Sequence, residues 1–164
     1  MPERRPSLPA PRRTLKRRLF QLWFRLSRPA TLGVRALVRD EQGRILLVRH
    51  TYLPGWAFPG GGVERRQTAL QALRHELLDE AGIRLTSEHP RLFAIYANHA
   101  IFPNDHVLLY VVEAGDYRRE PWQPGMEIAE ARFFPPDELP PDITPGTLRR
   151  IGEVLEDIPP AAEW

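Results

Sequence analysis

Three acidic side chains, Glu76, Asp79 and Glu80, lie close together in the sequence near the end of a helical pattern. Positions i, i+3 and i+4 of a helix project from one face, so the three carboxylates should converge. Clustered carboxylates repel one another unless a cation lies among them, and a hard divalent cation such as Mg²⁺ or Mn²⁺ prefers oxygen ligands. The spacing therefore predicts a divalent metal site.

The alternative is a solvated acidic helix end, which is common on protein surfaces. The helix dipole makes negative charge favourable in the first turn of a helix and unfavourable in the last. Glu76, Asp79 and Glu80 occupy the last turn, so their placement favours a metal-binding role over a contribution to helix stability.

The ends of this helix can be predicted from local signals. Thr68 and Gln71 form a capping-box pattern, which predicts a helix that begins near Ala69. Gly82 can adopt the left-handed conformation that ends a helix. An apolar stripe for the core is formed by leucines at helical spacing, namely Leu70, Leu73 and Leu77.

The segment 61–83, GGVERRQTALQALRHELLDEAGI, resembles the Nudix hydrolases, whose signature is G-x5-E-x7-R-E-U-x-E-E-x-G-U with U an aliphatic residue. The lead-in WAFPGGG of residues 56–62 is also similar to the family, and the order of elements fits it over residues 31–157. A chance match of this length, with a suitable strand before it and a helix across it, is improbable. The register is set by Gly61, Glu76, Leu77, Glu80, Gly82 and Ile83.

Three positions depart from the family signature. Gln67 and His75 stand where the family has Glu and Arg, which form a buried ion pair, and Asp79 stands where the family has Glu. Replacing both members of a buried pair by neutral groups can leave stability almost unchanged. We therefore expect a hydrogen bond between Gln67 and neutral His75 to take the place of the ion pair.

The resemblance implies a fold and an activity. The fold is α/β, a Nudix-type α/β/α sandwich with a mixed β-sheet between helices. The activity is metal-dependent hydrolysis of a diphosphate bond in a small-molecule nucleoside diphosphate derivative, with Mg²⁺ or Mn²⁺ as cofactor. The replacements at Gln67 and His75 favour an alternative, a Nudix-like nucleotide-binding or regulatory domain with little or no turnover.

The resemblance also implies the metal ligands. Glu76 and Glu80 are the principal ligands and the first two catalytic residues, with Asp79 as a third ligand. The main-chain carbonyl of Gly60 is a fourth, and Glu64 is a weaker candidate.

The general base of the family varies between an acid of the signature and an acid of a later loop. That loop should be PWQPGMEIAEARFF, where Glu127 is the first choice as the third catalytic residue. Glu130 and Glu120 are the next candidates for the general base. An ordinary surface role for Glu127 fits the sequence equally well.

The candidate substrate contacts are arginines and aromatic residues. Arg49 and Arg74 could bind phosphate through paired hydrogen bonds, whereas Arg35 fits equally well as a charge on the surface of a strand. Trp56 and Phe58 are candidates for stacking on a base, although most aromatic residues at such positions are core. Further candidates for a pocket rim are Tyr52, Tyr96, Asn98, His99, Phe102, Asn104, Asp105 and His106.

Composition limits the class of protein. A chain of 164 residues is long enough for one domain with a substantial core. The absence of cysteine excludes disulfides and thiolate metal sites and is compatible with a cytoplasmic location. We expect a basic tail and amphipathic helix over residues 1–30, a Nudix domain over 31–157 and a C-terminal tail over 158–164.

Positive charge is concentrated at the N-terminus. Eleven basic residues and one acid precede Asp40, whereas twelve basic and twenty acidic residues lie from Asp40 onward. A basic amphipathic helix over residues 15–26 could pack on the domain or on a second subunit, as in a homodimer, or lie on an anionic membrane surface. A third reading is electrostatic attraction of polyphosphate or nucleic acid, without sequence-specific recognition. The arginines exclude a transmembrane span.

The remaining pattern is that of strands and a closing helix. Residues 31–38 predict a strand, 40–43 a turn and 44–49 its hairpin partner. Further strands are predicted over 92–97, 106–113 and 131–134, and a helix over 145–157.

Overall fold

The structure of the protein is a computed structural model that describes residues 30–164. Eight strands and two α-helices make up this part of the chain, with a short 3₁₀ helix at Ala114–Asp116. The strands are β1 Thr31–Val38, β2 Ile45–His50, β3 Trp56–Ala57, β4 Ile83–Leu85, β5 Arg91–Ala97, β6 Asp105–Val112, β7 Tyr117–Arg119 and β8 Ile128–Phe134. The helices are α1 Ala69–Ala81 and α2 Pro145–Leu155.

The strands form two three-stranded sheets and a small ribbon. The first sheet has the order β1-β6-β5, with β1 parallel and β5 antiparallel to β6. The second has the order β3-β2-β8 and is antiparallel throughout. The ribbon pairs β4 with β7. The mixed strand directions agree with the sheet implied by the sequence.

The two helices lie over opposite faces of the strands. Alternate residues of β1 point in opposite directions, so Val34 and Ala36 join Leu73 and other buried residues of α1 in one core. Leu37 points the other way and joins Ile151 of α2 in a second core. This is the α/β/α sandwich that the Nudix resemblance implies.

The predicted hairpin between residues 31–38 and 44–49 is wrong in its pairing. The turn forms, since Gly43 N donates to the carbonyl oxygen of Asp40 at 2.9 Å, but only one isolated bridge, Arg39 with Ile45, connects the two segments. Instead β1 pairs with β6, and β2 pairs with β3 and β8. The same tight turn can serve a corner between two sheets, so turn chemistry alone does not determine the partner strand.

Other elements agree closely with expectation. The helix predicted to begin near Ala69 spans Ala69–Ala81, and the closing helix spans Pro145–Leu155. The strands predicted over 92–97, 106–113 and 131–134 correspond to β5, β6 and β8. The short strands β3, β4 and β7 were not predicted, because two or three residues give no readable alternation.

The C-terminal segment is attached to the domain by hydrogen bonds. Residues 158–164 pack against the domain: Trp164 N donates to the carbonyl oxygen of Ala97 at 2.9 Å, and Arg150 Nη1 donates to that of Glu163 at 2.7 Å. The predicted amphipathic helix lies outside the described residues, and its roles stay predictions. Within residues 30–164, the helices are too short or too polar to cross a membrane.

Candidate active site

The acidic helix α1 is fixed at both ends by its own sequence. Thr68 Oγ1 accepts a hydrogen bond from Gln71 N at 3.1 Å, and Gln71 Oε1 accepts one from Thr68 N at 2.8 Å, which confirms the capping box. Gly82 ends the helix with φ 62°, and its N–H donates to the Leu78 carbonyl at 3.0 Å. These caps fix the register that places Glu76 and Glu80 on one face.

A glycine loop lies directly against this face. Gly60 N donates to Glu80 Oε2 at 2.7 Å, and a Cβ at Gly61 would lie 2.5 Å from the Glu76 carboxyl group. Gly60 itself has φ 140°, and a Cβ there would clash with the Val34 carbonyl. A side chain at Gly60 would push the loop away from β1, and one at Gly61 would displace the Glu76 carboxyl group, so these glycines allow the close approach of loop, strand and helix.

Strand β1 holds the other side of the loop. Val34 N donates to the carbonyl oxygen of Gly61 at 2.9 Å, and Ala36 N donates to that of Pro59 at 3.0 Å. The intervening carbonyl of Gly60 accepts no hydrogen bond from residues 30–164. It is therefore available as an oxygen ligand.

The two buried acids of α1 have raised pKa values. Glu80 is 7% exposed, and burial raises its pKa to about 7, against the opposing effects of the Gly60 hydrogen bond and the positive charge of Arg35. Burial also raises the pKa of Glu76, which is half-buried. The charges of Asp79 and Glu127 raise the pKa of Glu76 further, and those of Glu76 and Glu127 raise the pKa of Glu80. This is the electrostatic environment of a site that lacks enough positive charge.

Asp79 behaves differently from its two neighbours. Its side chain is 59% exposed, and Oδ2 lies 3.2 Å from His75 Nε2 one turn earlier. The main-chain carbonyl of Asp79 accepts a hydrogen bond from Trp122 Nε1 at 2.8 Å. Asp79 thus faces His75 rather than the buried pair.

A cavity of about 410 Å³ brings the predicted acids together. Glu127 enters it from the loop before β8, and its carbonyl oxygen accepts a hydrogen bond from Thr51 N at 2.9 Å, which ties this loop to the end of β2. The cavity is lined by His75, Glu76, Asp79, Glu80, Trp122, Gln123, Gly125, Met126, Glu127 and Ile128. Four carboxylates therefore share one opening.

A second cavity, of about 300 Å³, lies on the other side of the glycine loop. Gly61 connects the two, because it lines the second cavity and packs against Glu76 of the first. Its lining is Thr31, Leu32, Gly33, Arg35, Gly61, Gly62, Asn98, Phe102, Asp105 and Val107. An elongated molecule could occupy both spaces at once.

The other acidic candidates do not join the acids of this cavity. Glu130 pairs with Arg49, and Glu120 pairs with Arg84. Glu64 is exposed and does not line the acidic cavity. Glu127 is the loop acid that the structure brings to the acids of α1.

The predicted substrate contacts lie elsewhere. Trp56 and Phe58 are 4% and 1% exposed and belong to the core beneath α2, so neither presents a free ring face. The guanidinium of Arg49 lies 5.2 Å from the Trp56 ring centre and pairs with Glu130. Arg74 Nη2 donates to the Ser87 carbonyl and pairs with Glu88, both at 3.1 Å. Their burial and ion pairs explain why they do not line either cavity.

Gln67 and His75 do not form the expected hydrogen bond with each other. Gln67 Oε1 accepts a hydrogen bond from Glu64 N at 2.9 Å, which closes the loop locally. His75 is exposed and contacts Asp79. The expectation of a direct replacement for the family's ion pair is wrong, because each side chain finds a nearer partner.

Two further residues, His50 and Arg35, lie near the buried acid Glu80. His50 Nε2, at the end of β2, lies 3.9 Å from Glu80 Oε1, and its Nδ1 has no hydrogen-bond partner among the described residues. Burial and then the charge of Arg35 lower the His50 pKa, so the ring is neutral near pH 7. Sequence reasoning missed His50 and left Arg35 undecided. The signal for Arg35 was an arginine within the otherwise apolar strand segment 34–38.

The donor atoms fit a hard divalent cation, although a complete ligand set is not preformed. In the described part of the chain, no three His, Asp or Glu side chains are grouped as metal ligands. Glu76, Glu80 and the carbonyl of Gly60 supply oxygen donors, and the buried charge of the two acids is short of a counterion. A third carboxylate would come from rotation of Asp79 or Glu127, which line the same cavity.

Comparison with known proteins identifies the family. The family model described as NUDIX domain matches residues 29–153. The chain is 32% identical to the 8-oxo-dGTP diphosphatase of Escherichia coli (strain K12) over 116 residues, which cover 63% of this chain and 87% of that protein. The chain therefore belongs to the Nudix family, as a Nudix pyrophosphate hydrolase.

Two other similarities bear on fold and substrate. The MutT NUDIX hydrolase from Burkholderia pseudomallei superimposes with a TM-score of 0.60 at 26% identity, covering 76% of this chain and 98% of that one. The RNA pyrophosphohydrolase of Halorhodospira halophila (strain DSM 244 / SL1) is 42% identical over 51 residues, 31% of this chain and 28% of that protein. The names of the Escherichia coli and Halorhodospira halophila relatives thus refer to two different substrates, 8-oxo-dGTP and RNA.

Proposed function

We propose that this protein is a divalent-metal-dependent hydrolase that cleaves a diphosphate bond in a nucleoside diphosphate-linked small molecule. The observation that carries the proposal is the acidic cavity, where Glu76 and Glu80 lie against the glycine loop and Glu127 opens into the same space. Membership of the Nudix family supports the reaction class.

The proposed division of roles follows from position and burial. Glu76, Glu80 and the Gly60 carbonyl would hold Mg²⁺ or Mn²⁺, and Asp79 would complete the set after leaving His75. The cation would neutralise charge on the phosphate oxygens and make the attacking water more acidic. Gly60 N holds Glu80 in its orientation through the 2.7 Å hydrogen bond.

Glu127 is the proposed general base. It is exposed in the cavity, and its backbone is held by Thr51, so the carboxylate can reach a water molecule without losing its anchorage. Glu127 would accept a proton as the water oxygen bonds to phosphorus and the bridging P–O bond breaks, so that the other phosphate leaves.

The nucleoside is proposed to occupy the second cavity. Phe102 is exposed and can stack on a base, and Asn98 presents an amide at the same rim. The diphosphate would then cross the glycine loop into the acidic cavity. The relatives named 8-oxo-dGTP diphosphatase and RNA pyrophosphohydrolase support testing 8-oxo-dGTP and RNA first.

The proposal is tested by incubation with Mg²⁺ or Mn²⁺ and a panel of nucleotides, with products separated by chromatography. The panel comprises 8-oxo-dGTP, dGTP, nucleotide sugars, dinucleoside polyphosphates and 5′-triphosphorylated RNA. Cleavage that requires metal and is lost in Glu80→Gln would support the function, and the products would identify the phosphorus attacked. Metal binding without cleavage of any panel member would favour the regulatory alternative.

A further inference from the structure

Arg35 occupies the junction between the two cavities. Its side chain leaves β1 on the wall of the second cavity, next to Gly61. Its charge also acts on Glu80 and Glu76, which line the acidic cavity on the other side of the glycine loop. A molecule that spans the loop must pass this guanidinium.

The guanidinium of Arg35 has few hydrogen-bond acceptors around it in the described part of the chain. Nη1 donates to the carbonyl oxygen of Val34 at 3.0 Å, and no carboxylate of residues 30–164 lies within 4.0 Å. Arg35 is nevertheless half-buried. Most of its five N–H donors therefore have no protein acceptor in the described part of the chain. Other arginines of that part do have a carboxylate partner, namely Arg39, Arg44, Arg49, Arg74, Arg84, Arg119 and Arg150.

The nearby acids are not arranged as a partner for Arg35. Glu80 Oε2 accepts the hydrogen bond from Gly60 N, and Oε1 faces His50 Nε2 at 3.9 Å. Glu76 packs against Gly61. Because neither carboxylate lies within 4.0 Å of the Arg35 guanidinium, its forked donors stay free of them. A planar fork of N–H donors matches the oxygens of a phosphate group.

We propose that Arg35 is a substrate-binding residue that holds one phosphate of the diphosphate at the junction of the two cavities. This inference rests on the proposed function, since it places the diphosphate across the glycine loop. Arg35 thereby fixes which phosphorus faces Glu76 and Glu80. It performs the role that the sequence suggested for Arg49 and Arg74, whose guanidinium groups are paired with acids.

The alternative role for Arg35 is that of a counterion for the two acids. Both roles predict that loss of Arg35 leaves the Mn²⁺ affinity equal or higher, and only the phosphate role predicts weaker binding of a diphosphate. Removal of a positive charge next to the acids should preserve or raise their affinity for Mn²⁺, whereas it removes the donors for a phosphate. Arg35→Lys separates charge from geometry, because lysine keeps the charge and lacks the planar fork.

The experiment measures binding of methylenediphosphonate, a non-hydrolysable diphosphate analogue, by calorimetry in the presence of saturating Mg²⁺. A parallel titration measures Mn²⁺ affinity. The proteins are wild type, Arg35→Gln and Arg35→Lys, with Arg118→Gln as a matched control at an exposed arginine of β7. Thermal unfolding of each variant establishes that it is folded.

We expect Arg35→Gln to bind methylenediphosphonate about 10-fold to 100-fold more weakly than wild type, with Mn²⁺ affinity equal or higher. Arg35→Lys should bind the analogue more weakly than wild type, and Arg118→Gln should match wild type. Equal affinity in wild type and Arg35→Gln, or no binding by wild type, would overturn the proposal. So would a folded Arg35→Lys variant that binds as tightly as wild type.

The outcome is separable from that of the proposed function. If wild type cleaves nothing in the nucleotide panel but loses analogue binding in Arg35→Gln, the hydrolase proposal fails and the phosphate role of Arg35 stands. If the panel is cleaved but Arg35→Gln binds the analogue as wild type does, the hydrolase proposal stands and the role of Arg35 is overturned.

Discussion

The main-chain N–H of Gly60 donates a 2.7 Å hydrogen bond to Oε2 of Glu80, which joins the glycine loop to the acidic helix. Because Glu80 is nearly buried, this bond holds one carboxylate oxygen in place and directs the charge of the group. The loop is in turn paired with β1 through Gly61 and Pro59. The site therefore depends on three elements that are distant in sequence and share one hydrogen-bond network.

Glu80→Gln should abolish most of the activity without unfolding the protein. The amide oxygen can still accept the hydrogen bond from Gly60 N, but the negative charge is lost. We expect turnover to fall roughly a hundredfold or more, as when one electrostatic stabiliser is removed from an active site. Steady-state kinetics would be compared with Glu138→Gln, a change at an exposed acid. Equal turnover in both variants would remove Glu80 from the mechanism.

Gly61→Ala should harm the site, whereas Gly62→Ala should not. The new Cβ at residue 61 would lie 2.5 Å from the Glu76 carboxyl group, and at residue 62 nothing lies within 4 Å. Because those atoms form the flexible end of the Glu76 side chain, we expect the carboxylate to move aside and turnover to fall, with little change in the free energy of unfolding. Chemical denaturation and turnover would be measured for both variants. If both were harmed equally, the close approach of the loop to Glu76 would not be the cause.

Glu127→Gln should lower kcat rather than raise KM. A general base contributes about 10²-fold to 10⁴-fold to the rate of the chemical step, and its loss should also remove the acidic limb of the pH profile of kcat. The control is Glu41→Gln, at an exposed turn that does not line the acidic cavity. A variant that keeps both the wild-type kcat and the wild-type pH profile would exclude Glu127 as the base.

Asp40 should stabilise the fold in a pH-dependent way. Its burial alone would raise the pKa, but hydrogen bonds from the side chain and backbone of Arg44, at 2.8 and 2.9 Å, outweigh burial and lower the pKa below 3.8. Because the folded-state pKa is depressed, the stabilisation is present above pH 3.8 and is lost as the pH falls through the folded-state value.

Asp40→Asn should therefore reduce the free energy of unfolding by about 1.5–3 kcal/mol at neutral pH and by less at about pH 2. Urea denaturation at both pH values would measure the difference, with Asp137→Asn as a control at an exposed acid. A loss of the same size at both pH values would show that the charge of Asp40 is not responsible.

The local features of the site could be predicted from the sequence. Thr68, Gln71 and Gly82 act on backbone groups within one turn of themselves, so the bounds and register of α1 follow from short-range chemistry. The co-location of Glu76 and Glu80 then follows from helix geometry. The proximity of Glu127 needed the family resemblance, since it lies 47 residues beyond Glu80.

The remaining features depend on contacts that no local signal encodes. β1 pairs with β6, and their first residues, Thr31 and Asp105, are 74 positions apart. Arg35 and Arg49 are both arginines on strands, and only the fold shows that Arg49 meets Glu130 while Arg35 meets no carboxylate of the described residues within 4.0 Å. Most aromatic residues at such positions are core, but only the fold shows that Trp56 and Phe58 are among them.

The central claim is that the acids of α1 form a divalent metal site, and titration with Mn²⁺ tests it most directly. We expect wild type to bind Mn²⁺, Glu76→Gln and Glu80→Gln to lose most of that affinity, and Glu138→Gln to bind as wild type does. Calorimetry or the electron paramagnetic resonance signal of free Mn²⁺ would give the affinities. A wild type that binds no Mn²⁺ at millimolar concentration, or Glu76→Gln and Glu80→Gln variants that bind it unchanged, would contradict the claim.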